Sequence, residues 1–136
     1  MSRGQVVREW YESLQSGDLE SLLQAFSPDI VWYQAEGHPY QPGGEPWVGP
    51  EAIRDRLLAR VATEWDDFKV DVRDVHEAGD EVVAEGRYTG TFKATGKKLD
   101  SQFCHVWRVS DAGIIRFQQY MDTAQLRSVV TGAVSA

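Results

Sequence analysis

Apolar residues recur at helical spacing in the first half of the chain and at alternate positions in the second. Val6, Trp10 and Leu14 lie four residues apart and predict one face of a first helix, with Gly17 as its stop. Asp18 is placed to cap a second helix, whose stripe is Leu19, Leu22, Leu23 and Phe26 and which Ser27-Pro28-Asp29 ends. Residues 30–34 predict a strand. From Ala35 to Trp47, three prolines and three glycines forbid regular structure and predict a loop able to act as a lid. Gly49-Pro50-Glu51 opens a third helix with the stripe Ile53, Leu57, Val61 and Trp65.

Beyond that helix the period falls from 3.6 to 2. Phe68, Val70 and Val72 alternate with Lys69, Asp71 and Arg73, the pattern of a half-buried strand. Turns at residues 78–80, 95–97 and 110–113 separate three further strands, 81–94, 99–109 and 114–121. Gly86 and Gly90 inside the first of these predict a bend or bulge. A short helix, 123–130, precedes a frayed tail. Three helices followed by meandering antiparallel strands make an α+β fold with the helices on one face of a curved sheet. A sheet that long, bent at its glycines, would wrap the three helices and leave a cavity at the open end. Its outer face calls for a partner, and a second copy of the chain is the simplest one, which predicts a homodimer through the sheet.

Composition narrows the function. With 136 residues, 42% of them hydrophobic, residues 1–136 make one domain. No apolar run reaches the roughly 20 residues that cross a bilayer, and the first residues lack the apolar stretch of a secretion signal. A lone cysteine, Cys104, excludes an internal disulfide and a cysteine-rich zinc site and suits the cytoplasm. A net charge of −7 without a basic run argues against nucleic acid. His38 and His76 have no partner at ligand spacing, so no metal is expected. No glycine-rich phosphate loop exists, so no nucleotide cofactor is expected either. Fifteen aromatics, five of them Trp, are a large number for so small a domain and predict either a heavy core or the lining of an apolar cavity.

The stretch from Trp10 to Asp18, followed by Phe26 and Asp29, resembles the opening of nuclear transport factor 2-like proteins. Trp47-Val48-Gly49-Pro50-Glu51-Ala52-Ile53 is similar to that family's entry to the third helix, and residues 105–109 and 113–122 complete the likeness. The resemblance implies a cone-shaped α+β barrel with a deep pocket, usually dimeric. Ketosteroid isomerases and SnoaL-like polyketide cyclases share this fold, as do simple binders. Aligned with the isomerases, Trp10 stands at the oxyanion tyrosine, Gln34 at the base and His105 at the protonated aspartate. An amide cannot abstract a proton, so the resemblance does not extend to steroid isomerisation by those residues.

The SnoaL-like cyclases are similar in a different way, for they carry an acid/base aspartate near the end of the last strand beside a histidine. That resemblance gives Asp122 as base and His105 as its partner. On strand parity, His105 shares a face with Phe103 and Trp107, while Gln118, Tyr120 and Asp122 share a face of the next strand. If both faces look inward, a carboxylate and an imidazole meet in an apolar pocket and can run acid–base chemistry near neutral pH. Asp122 also precedes Thr123 where an N-cap for the last helix is wanted, and the two roles are compatible. Arg87 and Arg116 are weaker partners for it, and Cys104 has the wrong parity to pair with His105. Trp10, Trp32, Trp107 and Tyr120 are expected to look into the cone, and Gln34, Gln118 and Tyr120 to orient a ligand. The expected activity is a cofactor-independent isomerase, cyclase or dehydratase acting on a small cyclic apolar molecule. A ligand-binding or dimerisation module of the same fold is the alternative.

Overall fold

A computed structural model describes residues 1–132. The remaining tail, 133–136, lies outside the described residues. Helix α1 (Arg3–Ser16) starts on Ser2, whose hydroxyl accepts from the Gln5 amide. It ends on Gly17 at φ 75°, a left-handed cap that hands its N–H to the Leu14 carbonyl. Asp18 caps α2 (Leu19–Gln24). Phe26, expected in the stripe of that helix, opens strand β1 (Phe26–Tyr33) instead. The strand therefore starts four residues before its predicted 30–34, because Pro28 ends the helix but is accommodated where a register shift interrupts the pairing with β6 (Gly113–Met121).

Strand β2 (Trp47–Val48) follows the long loop and pairs antiparallel with β1. The third helical segment runs as α3 (Pro50–Ile53), a π-helical turn at Arg54–Leu58 and α4 (Ala59–Glu64). Trp65 is not its last turn but the first residue of β3 (Trp65–Ala78). Then come β4 (Glu81–Phe92), β5 (Lys98–Ser110), β6 and α5 (Thr123–Thr131).

The six strands form one curved sheet in the order β2-β1-β6-β5-β4-β3. Pairing is antiparallel except between β1 and β6, which run parallel. The sheet stays open, with β2 and β3 as its edges. Curvature comes from where the glycines put it. β3 carries extra residues opposite β4 at two register shifts, between Asp66 and Lys69 and between Val72 and Asp74. The first of these shifts lies opposite Gly90 and the second beside Gly86, and a Cβ on Gly86 would be driven into the Asp71 carbonyl and the Phe103 ring. The bulged residues thus sit on β3, and the glycines of β4 make room for them.

Helix α1 packs across β3, β4 and β5, burying Val7, Trp10 and Tyr11. The main core joins these to Ile30, Trp32, Trp107 and Phe117, while a second cluster around Trp65, Tyr88 and Phe103 is closed by Leu126 and Val129 of α5. No helix among the described residues is long and apolar enough to cross a membrane.

The loop of residues 35–47 is fastened to the body. Tyr40 donates its hydroxyl hydrogen to Glu64 (2.7 Å) and accepts from Trp65 Nε1 (3.1 Å). The Gln41 side chain donates to the Trp32 carbonyl (3.1 Å) and accepts from the Gln34 backbone N–H (3.0 Å). The prolines and glycines remove regular structure from this segment but leave side chains that replace its missing backbone bonds.

Candidate functional site

A cavity of about 910 Å³ opens between α1, the helical segment 50–64 and the concave face of the sheet. Trp10, Leu22, Trp32, Phe68 and Phe117 give it an apolar wall. Trp32 stacks on Phe117 with ring centres 3.7 Å apart, so one wall is a rigid aromatic slab. This is the reading of the aromatic excess that the composition left open: part of it lines a cavity, and part backs that lining.

His105 is the polar centre of the lining, with 4% of its surface exposed. It lies flat on Phe103 (centroids 4.1 Å, planes 16° apart). Its Nδ1 meets the Tyr11 hydroxyl at 2.6 Å and its Nε2 meets the Tyr88 hydroxyl. Each tyrosine is held from behind by a fixed donor. Trp107 Nε1–H donates to Tyr11 (2.9 Å), and the Gln119 amide donates to Tyr88 (3.0 Å) while its own oxygen accepts from the Ala35 N–H (3.1 Å). Tyr11, Tyr88, His105 and Gln119 all line the cavity.

Burial keeps the imidazole and both phenols uncharged well to either side of neutral pH. Desolvation pushes the His105 pKa down to about 3. Burial also raises both tyrosines, against the lowering influence of the Trp107 bond on Tyr11 and of the Gln119 bond on Tyr88. Neutral imidazole has one N–H and one acceptor nitrogen. The chain Tyr11–His105–Tyr88 therefore has two protonation patterns, and in each of them one tyrosine hydroxyl keeps a hydrogen that the chain does not use.

A second polar chain runs beside the first. Trp32 Nε1–H donates to Gln34 Oε1 (2.8 Å), Gln34 Nε2 lies 3.2 Å from His38 Nε2, and the Tyr40 N–H points at His38 Nδ1 (3.0 Å). Burial, reinforced by the Arg60 charge, lowers the His38 pKa to about 4. Gln34 and His38 line the same cavity.

The expected site residues divide. His105, Trp10, Trp32 and Gln34 line the cavity. Trp107 is fully buried one layer behind it and supports Tyr11 rather than facing a ligand. Gln118, Tyr120 and Asp122 are on the other side. Tyr120 is 56% exposed, and Gln118 binds the Gln119 carbonyl (2.9 Å). Asp122 is an exposed N-cap of α5 whose carboxylate accepts from the Gln125 N–H (3.0 Å). The reason is a register shift between β5 and β6 at Arg108/Val109, which leaves Ile115 without a partner. An unbroken alternation from the buried Ile114 would carry Gln118 and Tyr120 inward. The extra residue reverses the parity, so Phe117, Gln119 and Met121 face the cavity and His105 stands opposite Gln119. The predicted meeting of His105 and Asp122 is thereby replaced by one of His105 with two tyrosines. Of the two arginines expected as weaker partners of Asp122, Arg87 bonds Asp100 at 2.5 Å and Arg116 lies over the Tyr33 ring, 5.2 Å from its centre.

Tyr11, Tyr88, Gln119 and His38 escaped the sequence reading. Tyr88 has the parity of the buried Val82 and Ala84 on β4, which marks it as inward. Tyr11 lies four residues after the fully buried Val7, a stripe one position over from the one expected. Nothing local in the sequence marks Gln119 or His38.

The comparisons agree with this architecture. A family model described as the SnoaL-like domain matches residues 7–117. An NTF2-like protein of Burkholderia thailandensis is 29% identical, with 95% of this chain and 97% of that chain aligned at a TM-score of 0.88. An NTF2-like protein of unknown function from Burkholderia pseudomallei is 27% identical, covering 96% and 99% of the two chains at a TM-score of 0.84. TerC, solved in co-crystals with polyporic acid, shares the fold at 24% identity, with 96% and 99% coverage and a TM-score of 0.81. No curated protein matches the chain. With a family model spanning α1 through most of β6, and a helix-covered curved sheet of NTF2-like form, this chain belongs to the SnoaL-like domain family.

Proposed function

We propose that the cavity binds a small cyclic apolar molecule bearing an oxygen and moves a proton between two of its atoms, as a cofactor-independent isomerase or cyclase does. The observation that carries this reading is the bridge of His105 between the Tyr11 and Tyr88 hydroxyls. It takes the place of the expected pair of Asp122 and His105, since Asp122 is committed to its cap.

The relay runs without any ion. With the ring proton on Nε2, Tyr11 donates to Nδ1 and Tyr88 accepts from Nε2, leaving the Tyr88 hydrogen for the ligand. A ligand hydroxyl or enol then passes its hydrogen to the Tyr11 oxygen as the Tyr11 hydrogen moves to Nδ1. The Nε2 hydrogen moves to the Tyr88 oxygen, and the former Tyr88 hydrogen reaches a second ligand atom. The ligand loses one proton and gains one, and the protein ends in the other imidazole tautomer. Water in the emptied cavity returns it by the same hops reversed. Groups whose ionisation is suppressed by burial suit such a path, because no step requires a buried charge.

The alternative, a binding module, is favoured by one observation. Among the described residues the only carboxylate lining the cavity is Asp71, exposed and paired with Arg73. The expected homodimer through the outer sheet face, where Tyr120 is exposed, belongs to either reading and is tested by sedimentation.

A panel of ring-containing ketones, phenols and epoxides is screened first by thermal shift. Each binder is then incubated with the protein in D2O and its exchangeable carbon positions are followed by NMR. Deuterium incorporation above the buffer rate, lost in the Tyr11→Phe/Tyr88→Phe double variant, supports the relay. Binding without exchange for every member of the panel leaves the binding module.

A further inference from the structure

The chain Trp32–Gln34–His38–Tyr40 contains a mismatch that no arrangement of its own protons removes. Both ends are fixed donors, the Trp32 indole N–H and the Tyr40 backbone N–H. The Trp32 end requires the Gln34 oxygen, so the Gln34 NH2 faces His38. The Tyr40 end requires an unprotonated Nδ1, so the neutral ring carries its proton on Nε2. Two donors then confront each other across 3.2 Å. Turning the Gln34 amide moves the conflict to Trp32, and changing the ring tautomer moves it to Tyr40.

In the His105 chain the ends are also donors, Trp107 and Gln119, but the tyrosine hydroxyls can rotate and the excess hydrogen points into the cavity. The His38 chain has no rotor. Its excess can be relieved only by an acceptor from outside, in reach of Gln34 Nε2 and His38 Nε2 together. Both residues are buried and both line the cavity, so the acceptor has to arrive with whatever fills it.

We infer that Gln34 and His38 form a second oxygen-binding site, whose paired N–H groups receive a carbonyl-type oxygen of the ligand. The inference rests on the proposed cavity ligand and deepens it: the molecule has two acceptor oxygens, one facing the tyrosines and one facing the Gln34–His38 pair. Gln119 links the two positions, since it holds Tyr88 through its nitrogen and the Ala35 N–H, next in sequence to Gln34, through its oxygen. The Trp32–Phe117 stack supplies the flat apolar surface of the same lining. A ligand that offered a donor to the Gln34–His38 pair would not fit there.

The test uses calorimetry with two saturated bicyclic probes of nearly equal size, a decalone with one carbonyl and a decalindione with two. The dione is expected to bind the wild-type protein roughly tenfold more tightly, as one added hydrogen bond allows. Gln34→Glu places a carboxylate where it accepts from both Trp32 and His38. That variant should lose the preference for the dione, its affinities for the two probes coming within about twofold of each other whatever their common level. A second readout needs no variant: the His38 Nε2 resonance of the wild-type protein should shift with the dione and stay unmoved by the decalone. Equal affinities for the two probes, or a His38 resonance indifferent to the dione, would overturn the inference. Exchange failing while the dione preference holds would remove the relay and leave this site standing, and the opposite pattern would do the reverse.

Discussion

Tyr11 and His105 lie 94 positions apart in the chain and share a 2.6 Å hydrogen bond in the cavity lining. Their rings are nearly parallel, 5.9 Å between centres, and Trp107 donates to the same hydroxyl from behind. One tyrosine thus joins the first helix to two inward residues of β5. The bond is structural and chemical at once, and the two roles are separable by experiment.

Tyr11→Phe removes one oxygen and leaves two buried polar atoms, Trp107 Nε1 and His105 Nδ1, without a partner. Stability should fall by about 1–3 kcal/mol, measured by urea unfolding. Proton exchange on a bound ligand should fall on the order of 10²-fold or more, the worth of a positioned acid–base group. Tyr88→Phe leaves His105 Nε2 and the Gln119 amide unpaired in the same way, so it should match Tyr11→Phe in both readings. A rate loss in only one of the two variants would contradict a relay that needs both hydroxyls.

Stability should also depend on pH through the histidines. Both buried rings have folded pKa values below the ordinary 6.5, His105 at about 3 and His38 at about 4, because burial disfavours the charged form. The unfolded chain therefore takes up protons that the folded one refuses, and stability is full above about pH 6.5 and falls as the pH drops toward 4. Each histidine contributes a slope of up to about 1.4 kcal/mol per pH unit, so the two together approach about 2.7 in that window. Urea titrations between pH 4 and 7 measure it. His105→Asn should roughly halve the slope, and an unchanged slope would mean that the ring is already protonated in the folded protein.

The sequence pattern revealed the helices, the antiparallel meander from β3 to β6 and the face that Phe103, His105 and Trp107 share on β5, because those depend on periods that local residues express, whereas the parallel place of β1 beside β6 does not. Gly86 and Gly90 signalled curvature correctly, since a Cβ on Gly86 has nowhere to go. Their partners, the bulged residues of β3, were invisible because a bulge is a property of a pair of strands. The same limit governed the site. His105 was legible from its own strand, but Gln119 faces it only because Ile115 is bulged, and period-2 counting cannot see an unpaired residue across a hairpin. Tyr11 meets His105 through the packing of α1 on the sheet, which no local spacing encodes.

Asp122→Ala tests the cap against the base. As N-cap of α5 the carboxylate satisfies the Gln125 N–H, and its loss should cost about 1 kcal/mol of stability. Ligand affinity and exchange rate, both properties of a cavity that Asp122 does not line, should stay within twofold or so of wild type. A rate loss of tenfold or more in a fully folded variant would restore Asp122 as the base.

Gln119→Leu separates the cavity from the loop that borders it. The native amide does two jobs, donating to Tyr88 and accepting from the Ala35 N–H at the start of the segment 35–47. Leucine fills a similar volume but does neither, so the Ala35 N–H loses its acceptor at a cost of about 1–3 kcal/mol. The other fastenings of the loop, Tyr40 to Glu64 and Gln41 to Trp32, are untouched, so the change should be local. Amide hydrogen exchange should therefore quicken at Ala35 while the protection of β5 and β4 is kept. Tyr88 loses a donor that favours its ionised form, so its phenol pKa should move further up, away from any role as a free phenolate. If the relay is neutral throughout, exchange on the ligand should survive this variant at a reduced rate, because His105 and both hydroxyls remain. Complete loss of exchange with the loop still protected would mean that the Gln119 N–H carries developing negative charge on Tyr88, and the neutral relay would have to be abandoned for an ionic one.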